Sequence, residues 1–337
     1  MRTHAESRSR RAFKLGQALA VAVVLLGASD VGASEPPVRD LRITILSTNL
    51  AGNPGMSGMG EWGFAALVQV GDQQWLFDTG HRAETVLNNA AELGLPLGKI
   101  TDVVLSHNHG DHAGGLIALR RAWSNENPAA LGRVHVGRGA LWSRMADGGN
   151  EEWNDFISIS EDYRKLGGEV IVHDAAIELA PGVWLTGPID RPHDEQPPMR
   201  SGYVVWPGDI RRSDDVPEDM AMVFDTTDGL VVLAGCGHAG LINTLEQARA
   251  AMRPGANVHA VMGGLHLASM PEEKLDWTGG KLKEFELEYL HGAHCTGIAP
   301  VYHLREAVGL PRESAVVGAV GSTFELGQGI TPLWIAR

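Results

Sequence analysis

The feature that most restricts how this chain can fold is the run LSHNHGDHAGG at positions 105–115, which sets His107, His109, Asp111 and His112 within six positions. It follows TDVVLS, a largely apolar strand pattern that starts at Thr101. On an extended segment, residues two apart face the same side, so His107 and His109 can meet one cation while Asn108 points away. Gly110 lets the backbone turn. Asp111 and His112 then face a second, adjacent position, and Gly114 and Gly115 allow the next helix to pack close. Imidazole nitrogen and carboxylate oxygen suit zinc and related divalent transition metals, and a catalytic ion usually has three protein ligands with one position open. Four local donors split between two half-sites complete neither. Strand ends far apart in the sequence therefore have to converge here.

The best remote candidates are His238 and His266, each placed just beyond a buried-strand pattern in a glycine-rich turn. Short β-rich runs precede the cluster at LRITILST, AALVQV and QQWLFDTG, the last carrying Asp78 near its end. AETVLNNAAELG has apolar residues at intervals of three and four with Gly94 as its stop, so it reads as a helix, and GGLIALRRAW reads as another. VHVG, EVIVH and VWLTG are strand candidates in a less regular middle, from about Leu131 to Asp215, where a lid is expected. Within it, His193 sits with Asp194 and Glu195 in DRPHDEQPPMRSG, which reads as a solvated polar loop. The second half repeats the strand-to-loop design: MAMVFDT and LVVLAG lead to Cys236-Gly237-His238, then the helical LINTLEQARAAM, then VHAVMGG leading to His266. Two β-rich halves that deliver ligands from strand ends imply an α+β fold of two packed sheets with helices outside.

With 44% hydrophobic residues in 337, the chain has ample material for a large core. Its first 33 residues stand apart: SRSRRAFK runs into the apolar LGQALAVAVVLLGA and then VGASEPP. The apolar run is short for a membrane span, and the small residues ending at Ala33 suit a signal peptidase. Residues 1–33 are thus expected to be a removable export signal, with residues 34–337 as the mature domain. The arginine pair and Phe13 resemble a twin-arginine signal, which points to a periplasmic or secreted protein with no membrane segment in its mature form. Without residues 1–33, 23 basic residues face 39 acidic ones, a net charge of −16. Such a charge repels polyanions and argues against nucleic acid as a partner. Two cysteines, Cys236 and Cys295, supply no disulfide framework. GAVGST near Gly318 lacks the glycine pattern of a dinucleotide loop and the lysine of a P-loop. Trp62, Trp142 and Trp153 are candidates for an apolar substrate cleft, although tryptophans commonly just pack in cores.

HNHGDH matches the His-x-His-x-Asp-His signature of the metallo-β-lactamase superfamily, and FDTG, GCGHAG and GGLHL follow in the order that superfamily shows. VLNNAAELGLPL, LSHNHGDHAGGL, GCGHAGLINT and AHCTG resemble its branch of dihydropterin ribofuranosyl-aminobenzene phosphate synthase-like metal-dependent hydrolases. The resemblance implies an αββα sandwich with one or two zinc-type ions in a cleft at one edge. Carried over residue by residue, His107, His109 and His238 serve the first metal, Asp111, His112 and His266 the second, and Asp78 orients a ligand through hydrogen bonds. Where many members carry a bridging aspartate, this chain has Cys236, either a ligand or a small buried neighbour. Asp111 is also the residue to orient a metal-activated water, and His294 in AHCTG either reaches the substrate or shapes a turn. The expected activity is hydrolysis of a small ester, lactone, amide or phosphoester. Its alternatives are a pterin-related transferase and a non-catalytic, metal-dependent binding protein.

Overall fold

The run Gly229–Ala234, GLVVLA, is buried along its whole length, because both of its faces are covered. Val231 and Leu233 point into one apolar cluster with Ile43, Ile45, Phe77, Phe224 and Met262. Leu230, Val232 and Ala234 point into another, with Leu241, Leu245, Leu282 and Leu304 from surrounding helices. This alternation is the period-two geometry of a strand sandwiched between a second sheet and a helical layer. On the opposite sheet the same split recurs: Ala66 and Val68 join the inner cluster, while Ala65 and Leu67 join Val86, Leu116, Leu119 and Tyr163 on the outer one.

The computed structural model describes residues 38–336, apart from 54, 56, 57, 150 and 196–201. The expected export signal, residues 1–33, lies outside the described residues. Among those described, an eight-stranded sheet runs in the order Gly329–Thr331, Thr323–Glu325, Leu41–Ser47, Ala65–Val70, Gln73–Phe77, Asp102–Val104, Arg133–Gly137, Glu169–His173. A seven-stranded sheet runs Ala315–Val317, Tyr289–Ala293, Val258–Gly264, Gly229–Ala234, Met222–Thr226, Val183–Leu185, Ile177–Ala180. Both are mixed, with antiparallel pairs on one side and parallel pairs on the other. The fold is therefore the αββα sandwich of two mixed sheets with outer helices. No helix among the described residues is long and apolar enough to cross a membrane.

The parallel halves decide where chemistry collects, since ligands of open α/β sheets gather beyond the carboxyl ends of the strands. Asp78 follows Gln73–Phe77, the histidine run follows Asp102–Val104, Cys236 follows Gly229–Ala234, His266 follows Val258–Gly264, and His294 follows Tyr289–Ala293.

Two expectations change. The irregular middle contains a helix, Asp155–Lys165, started by the Asn154 side chain, which accepts from Phe156 N. It also contains a separate three-stranded sheet of Arg144–Ala146, Gly202–Trp206 and Ile210–Ser213. The loop around His193 is not simply solvated: Glu195 is 4% exposed and its Oε1 accepts from Asn243 N at 2.6 Å, in the first turn of the helix Leu241–Met252. A buried carboxylate there satisfies otherwise unpaired helix N–H groups. GGLIALRRAW forms the expected helix, Leu116–Ser124, and one helical turn, Gly110–Ala113, precedes it within the histidine run.

Burial of His291 in its strand pushes its pKa down from 6.5 to about 3, and its Nε2 lies 2.9 Å from Ser322 Oγ. Between those values the unfolded chain binds a proton that the folded chain refuses, so stability falls as pH drops through that window. We expect the His291→Gln variant to lose up to about 1.4 kcal/mol per pH unit from the slope of stability against pH. Urea unfolding from pH 7 to pH 4 checks this, and parallel slopes for both proteins would refute it.

Candidate metal centre

Asp78 anchors the centre from underneath. Its carboxylate is fully buried and accepts from Ser106 N at 2.7 Å and from Ser106 Oγ at 2.8 Å, and His112 Nδ1 lies 2.7 Å from its Oδ2. These contacts hold the residue just before the histidine run and turn His112 so that Nε2 faces the centre. Gly235 makes room for them: a Cβ there would come 2.0 Å from Ser106 Oγ and 2.5 Å from Asp78 Oδ2. Ser106 Oγ also lies 2.9 Å from His107 Nδ1, which leaves His107 Nε2 pointing inward, 2.9 Å from His109 Nδ1. Asn108 points away as its alternate position requires, donating to Ala140 O at 3.0 Å.

Around this base the imidazoles form one connected cluster. Ring centroids lie 4.5 Å apart for His107 and His109, 4.7 Å for His107 and His238, 4.9 Å for His109 and His238, and 4.6 Å for His238 and His266. On the other side, His107 and His112 are 4.2 Å apart, and His112 and His294 are 5.0 Å apart. Asp111 Oδ2 lies 3.7 Å from His112 Nε2 and 3.2 Å from His294 Nε2, the latter without the alignment of a hydrogen bond. Four groups of side chains offer donor atoms within 4.8 Å of one another: His107, His109 and Asp111; His107, Cys236 and His238; His112, Cys236 and His294; and Cys236, His266 and Cys295. Cys236 is common to three of them, and its Sγ lies 3.2 Å from His112 Nε2. His294 thus stands beside Asp111 and His112, whereas His266 groups with the two cysteines.

The donor set fits a divalent transition metal. Both ring nitrogens of His238, both of His294 and Nδ1 of His266 are buried without a hydrogen-bond partner among the described residues. Buried imidazoles left this way are costly unless something takes their lone pairs. Burial, followed by the like charges of the neighbouring imidazoles, pushes His107 well below the ordinary histidine value, and burial lowers His109 to about 4. His238 is lowered in the same way. These three rings are neutral, as metal ligands must be. His112 behaves oppositely, since Asp78 overcomes the effect of burial and raises it to about 9. Asp111 is held well below the usual carboxylate range, against burial, by His294 and His112.

Sequence reasoning did not single out Cys295, Glu61 or Arg144. Glu61 accepts from Ser47 Oγ, His81 N, Arg82 N and Thr85 Oγ, tying the loop after Leu41–Ser47 to the segment after Asp78. Arg144 is 3% exposed, donates to Asp214 and Glu218, and lines a recess of about 480 Å³ with His109 and Trp153. A second recess, of about 570 Å³, is lined by Glu61, Trp62, His81, Arg82 and Asp111. Gly110 borders both, so the centre opens toward solvent at His109–Asp111. Trp62 is 59% exposed with its ring 4.8 Å from that of His294, a rim position that no periodicity announces, and Trp142 packs on Trp206.

The metallo-β-lactamase superfamily model matches residues 63–249. The chain belongs to this superfamily. A relative from Methanocaldococcus jannaschii named 7,8-dihydropterin-6-methyl-4-(beta-D-ribofuranosyl)-aminobenzene-5'-phosphate synthase is 30% identical over 228 residues, covering 66% of this chain and 75% of the relative. An uncharacterized protein of the same archaeon is 24% identical over 247 residues, covering 72% and 87%. Among solved structures, a metal-dependent hydrolase of the β-lactamase superfamily superposes with a TM-score of 0.68 at 26% identity, covering 85% of this chain and 99% of the other. The metallo-β-lactamase fold protein YhfI from Bacillus subtilis superposes with a TM-score of 0.52 at 14% identity, covering 85% and 100%, a likeness of fold. Members of this superfamily bind divalent metals such as zinc, and the imidazole cluster is where this member offers ligands.

Replacing Asp78 with alanine would release Ser106 and the His112 ring together. We expect metal affinity to fall on the order of 10–100-fold. Competition with a chromogenic chelator measures it, and an affinity equal to that of the parent would remove Asp78 from the role described.

Proposed function

We propose that this protein is an exported, metal-dependent hydrolase acting on a small molecule with an ester, lactone, amide or phosphoester bond. The observation that carries the reading is the cluster of buried, partnerless imidazoles around Asp111, beneath an opening bordered by Gly110. His107, His109 and His238 would hold one ion, and Asp111, His112 and His266, with Cys236 beside them, would offer donors to a second. Such cations, when bound, lower the pKa of water toward neutrality and polarise a carbonyl or phosphoryl oxygen.

The protein's own groups supply the remainder. Asp111, ionised and 18% exposed at its side chain, faces the opening and can accept a hydrogen bond from the attacking water and so orient it. His294, 3.2 Å from Asp111, is placed to return a proton to the departing oxygen or nitrogen. Trp62 beside it shields that end of the site and offers an apolar face to the substrate. The acidic balance of the mature chain supports a small-molecule substrate over nucleic acid, and the basic-then-apolar first 33 residues support a periplasmic or secreted location.

The 30% identity to a dihydropterin ribofuranosyl-aminobenzene phosphate synthase favours a second reading, in which the same centre serves a pterin-related transfer. Formation of a condensation product from an activated pterin and an aminobenzene partner would select it over hydrolysis. For the leading reading, metal-stripped protein is expected to be inactive on a panel of esters, lactones, amides and phosphodiesters, with activity restored by zinc, cobalt or manganese. Asp111→Asn should then reduce kcat on the order of 10²–10⁴-fold. Hydrolysis that survives removal of the metal would sink the proposal.

A further inference from the structure

The two cysteines are far apart in sequence, yet their sulfur atoms lie 3.3 Å apart, and both side chains are buried. The backbone is shaped around them. A Cβ at Gly264 would come 1.9 Å from Gly235 O and 3.0 Å from Cys295 Sγ, so bare glycine lets the two parallel strand ends close over the sulfur pair. His266 follows two residues later in a left-handed conformation, φ 51°, and its N–H donates to Cys295 Sγ at 3.3 Å. Nδ1 of the same histidine is among the partnerless buried nitrogens. Cys236, His266 and Cys295 thereby present two sulfurs and one imidazole within 4.8 Å of one another.

Charge adds a second argument. Among the described residues, Asp111 is the lone carboxylate in the four candidate donor groups, the remaining donors being imidazoles or sulfurs, and the Asp78 carboxylate behind them is already paired with His112 at 2.7 Å. One or two divalent cations held by a single carboxylate would leave a large uncompensated positive charge in a buried centre, which is costly. Two thiolates supply the missing negative charge where a carboxylate bridge is absent.

We propose that Cys295 is a metal ligand, forming with Cys236 and His266 a two-thiolate, one-imidazole position for a thiophilic divalent cation, with Cys236 shared with the neighbouring imidazole groups. The proposal rests on the metal-dependent reading above and refines which cation the centre selects. Binding converts each S–H to a metal–sulfur bond and releases its proton to solvent, so no oxidant takes part. Sulfur donors favour zinc, cobalt or iron over magnesium, calcium or manganese.

The test uses the full protein loaded with Co²⁺ as the probe, with bound cobalt counted by elemental analysis. A sulfur-to-cobalt charge-transfer band is expected in the near ultraviolet, about twofold weaker per bound cobalt in Cys295→Ser and absent when both cysteines are replaced. X-ray absorption of the zinc-loaded parent protein guards against a variant that fails to fold: a shell of sulfur at about 2.3 Å is expected, with two sulfurs contributing. Cobalt bound with no charge-transfer band, an unchanged band in Cys295→Ser, or only nitrogen and oxygen scatterers would overturn the thiolate position while leaving a metal-dependent hydrolase intact. Recovery of the cysteines as a disulfide in metal-loaded protein would overturn it as well. Failure to bind cobalt or zinc at all would remove both readings.

Discussion

The contact on which the centre depends is the buried pairing of Asp78 with Ser106 and His112. It joins the end of one parallel strand to the end of the next, since Asp78 follows Gln73–Phe77 and Ser106 lies just beyond Asp102–Val104. A carboxylate buried this completely requires hydrogen-bond donors, and three donor positions converge on it. The same bonds that offset its burial also fix the His112 ring and the start of the histidine run. Folding and ligand alignment are therefore one event here, and the aspartate cannot be traded for an apolar residue without disturbing both.

Backbone strain follows the same map. Asp78, His266 and His294 all have positive φ, at 55°, 51° and 47°. Each sits directly beyond a parallel strand or one residue later, where the chain must turn sharply to bring a side chain over the sheet edge. Non-glycine residues held there cost of order 1–3 kcal/mol each and persist only where the surroundings determine them. At these positions the surroundings are the other members of the cluster, so the cost is borne where ligand placement demands it.

How legible the centre was in the sequence depended on how local each signal is. HNHGDH announces itself because four donors share one turn after a buried strand, and LVVLAG and VHAVMGG announce two more strand ends because both of their faces are buried. Asp78 could be read from its place at the end of QQWLFDTG. Cys295 could not, because a single cysteine in a short turn has no periodic or spacing signal, and its meaning comes from Cys236, brought near by parallel pairing of strands Gly229–Ala234, Val258–Gly264 and Tyr289–Ala293. Glu195 was misread for a related reason. RPHDEQ looks solvated by composition, and only the packing of that loop on the helix Leu241–Met252 buries the carboxylate. The small sheet built from Arg144–Ala146, Gly202–Trp206 and Ile210–Ser213 escaped because its outer strand, IRRS, is exposed throughout and shows no apolar alternation.

Burial also explains how so many imidazoles can share one place. Six protonated rings within about 5 Å of their neighbours would repel one another strongly in a medium of low effective dielectric constant. Desolvation removes that conflict by depressing the proton affinity of His107, His109 and His238, so these rings are neutral and their lone pairs free at physiological pH. His112 is the exception because Asp78 lies against it and favours its protonated form; a cation at Nε2 would displace the proton there and leave the other on Nδ1, the nitrogen facing that carboxylate. The arrangement separates the two jobs of an imidazole: one nitrogen is tied to the scaffold and the other is offered to the centre. That division is also seen at His107, whose Nδ1 faces Ser106 Oγ, and it is what converts a crowded patch of histidines into an oriented set of donors.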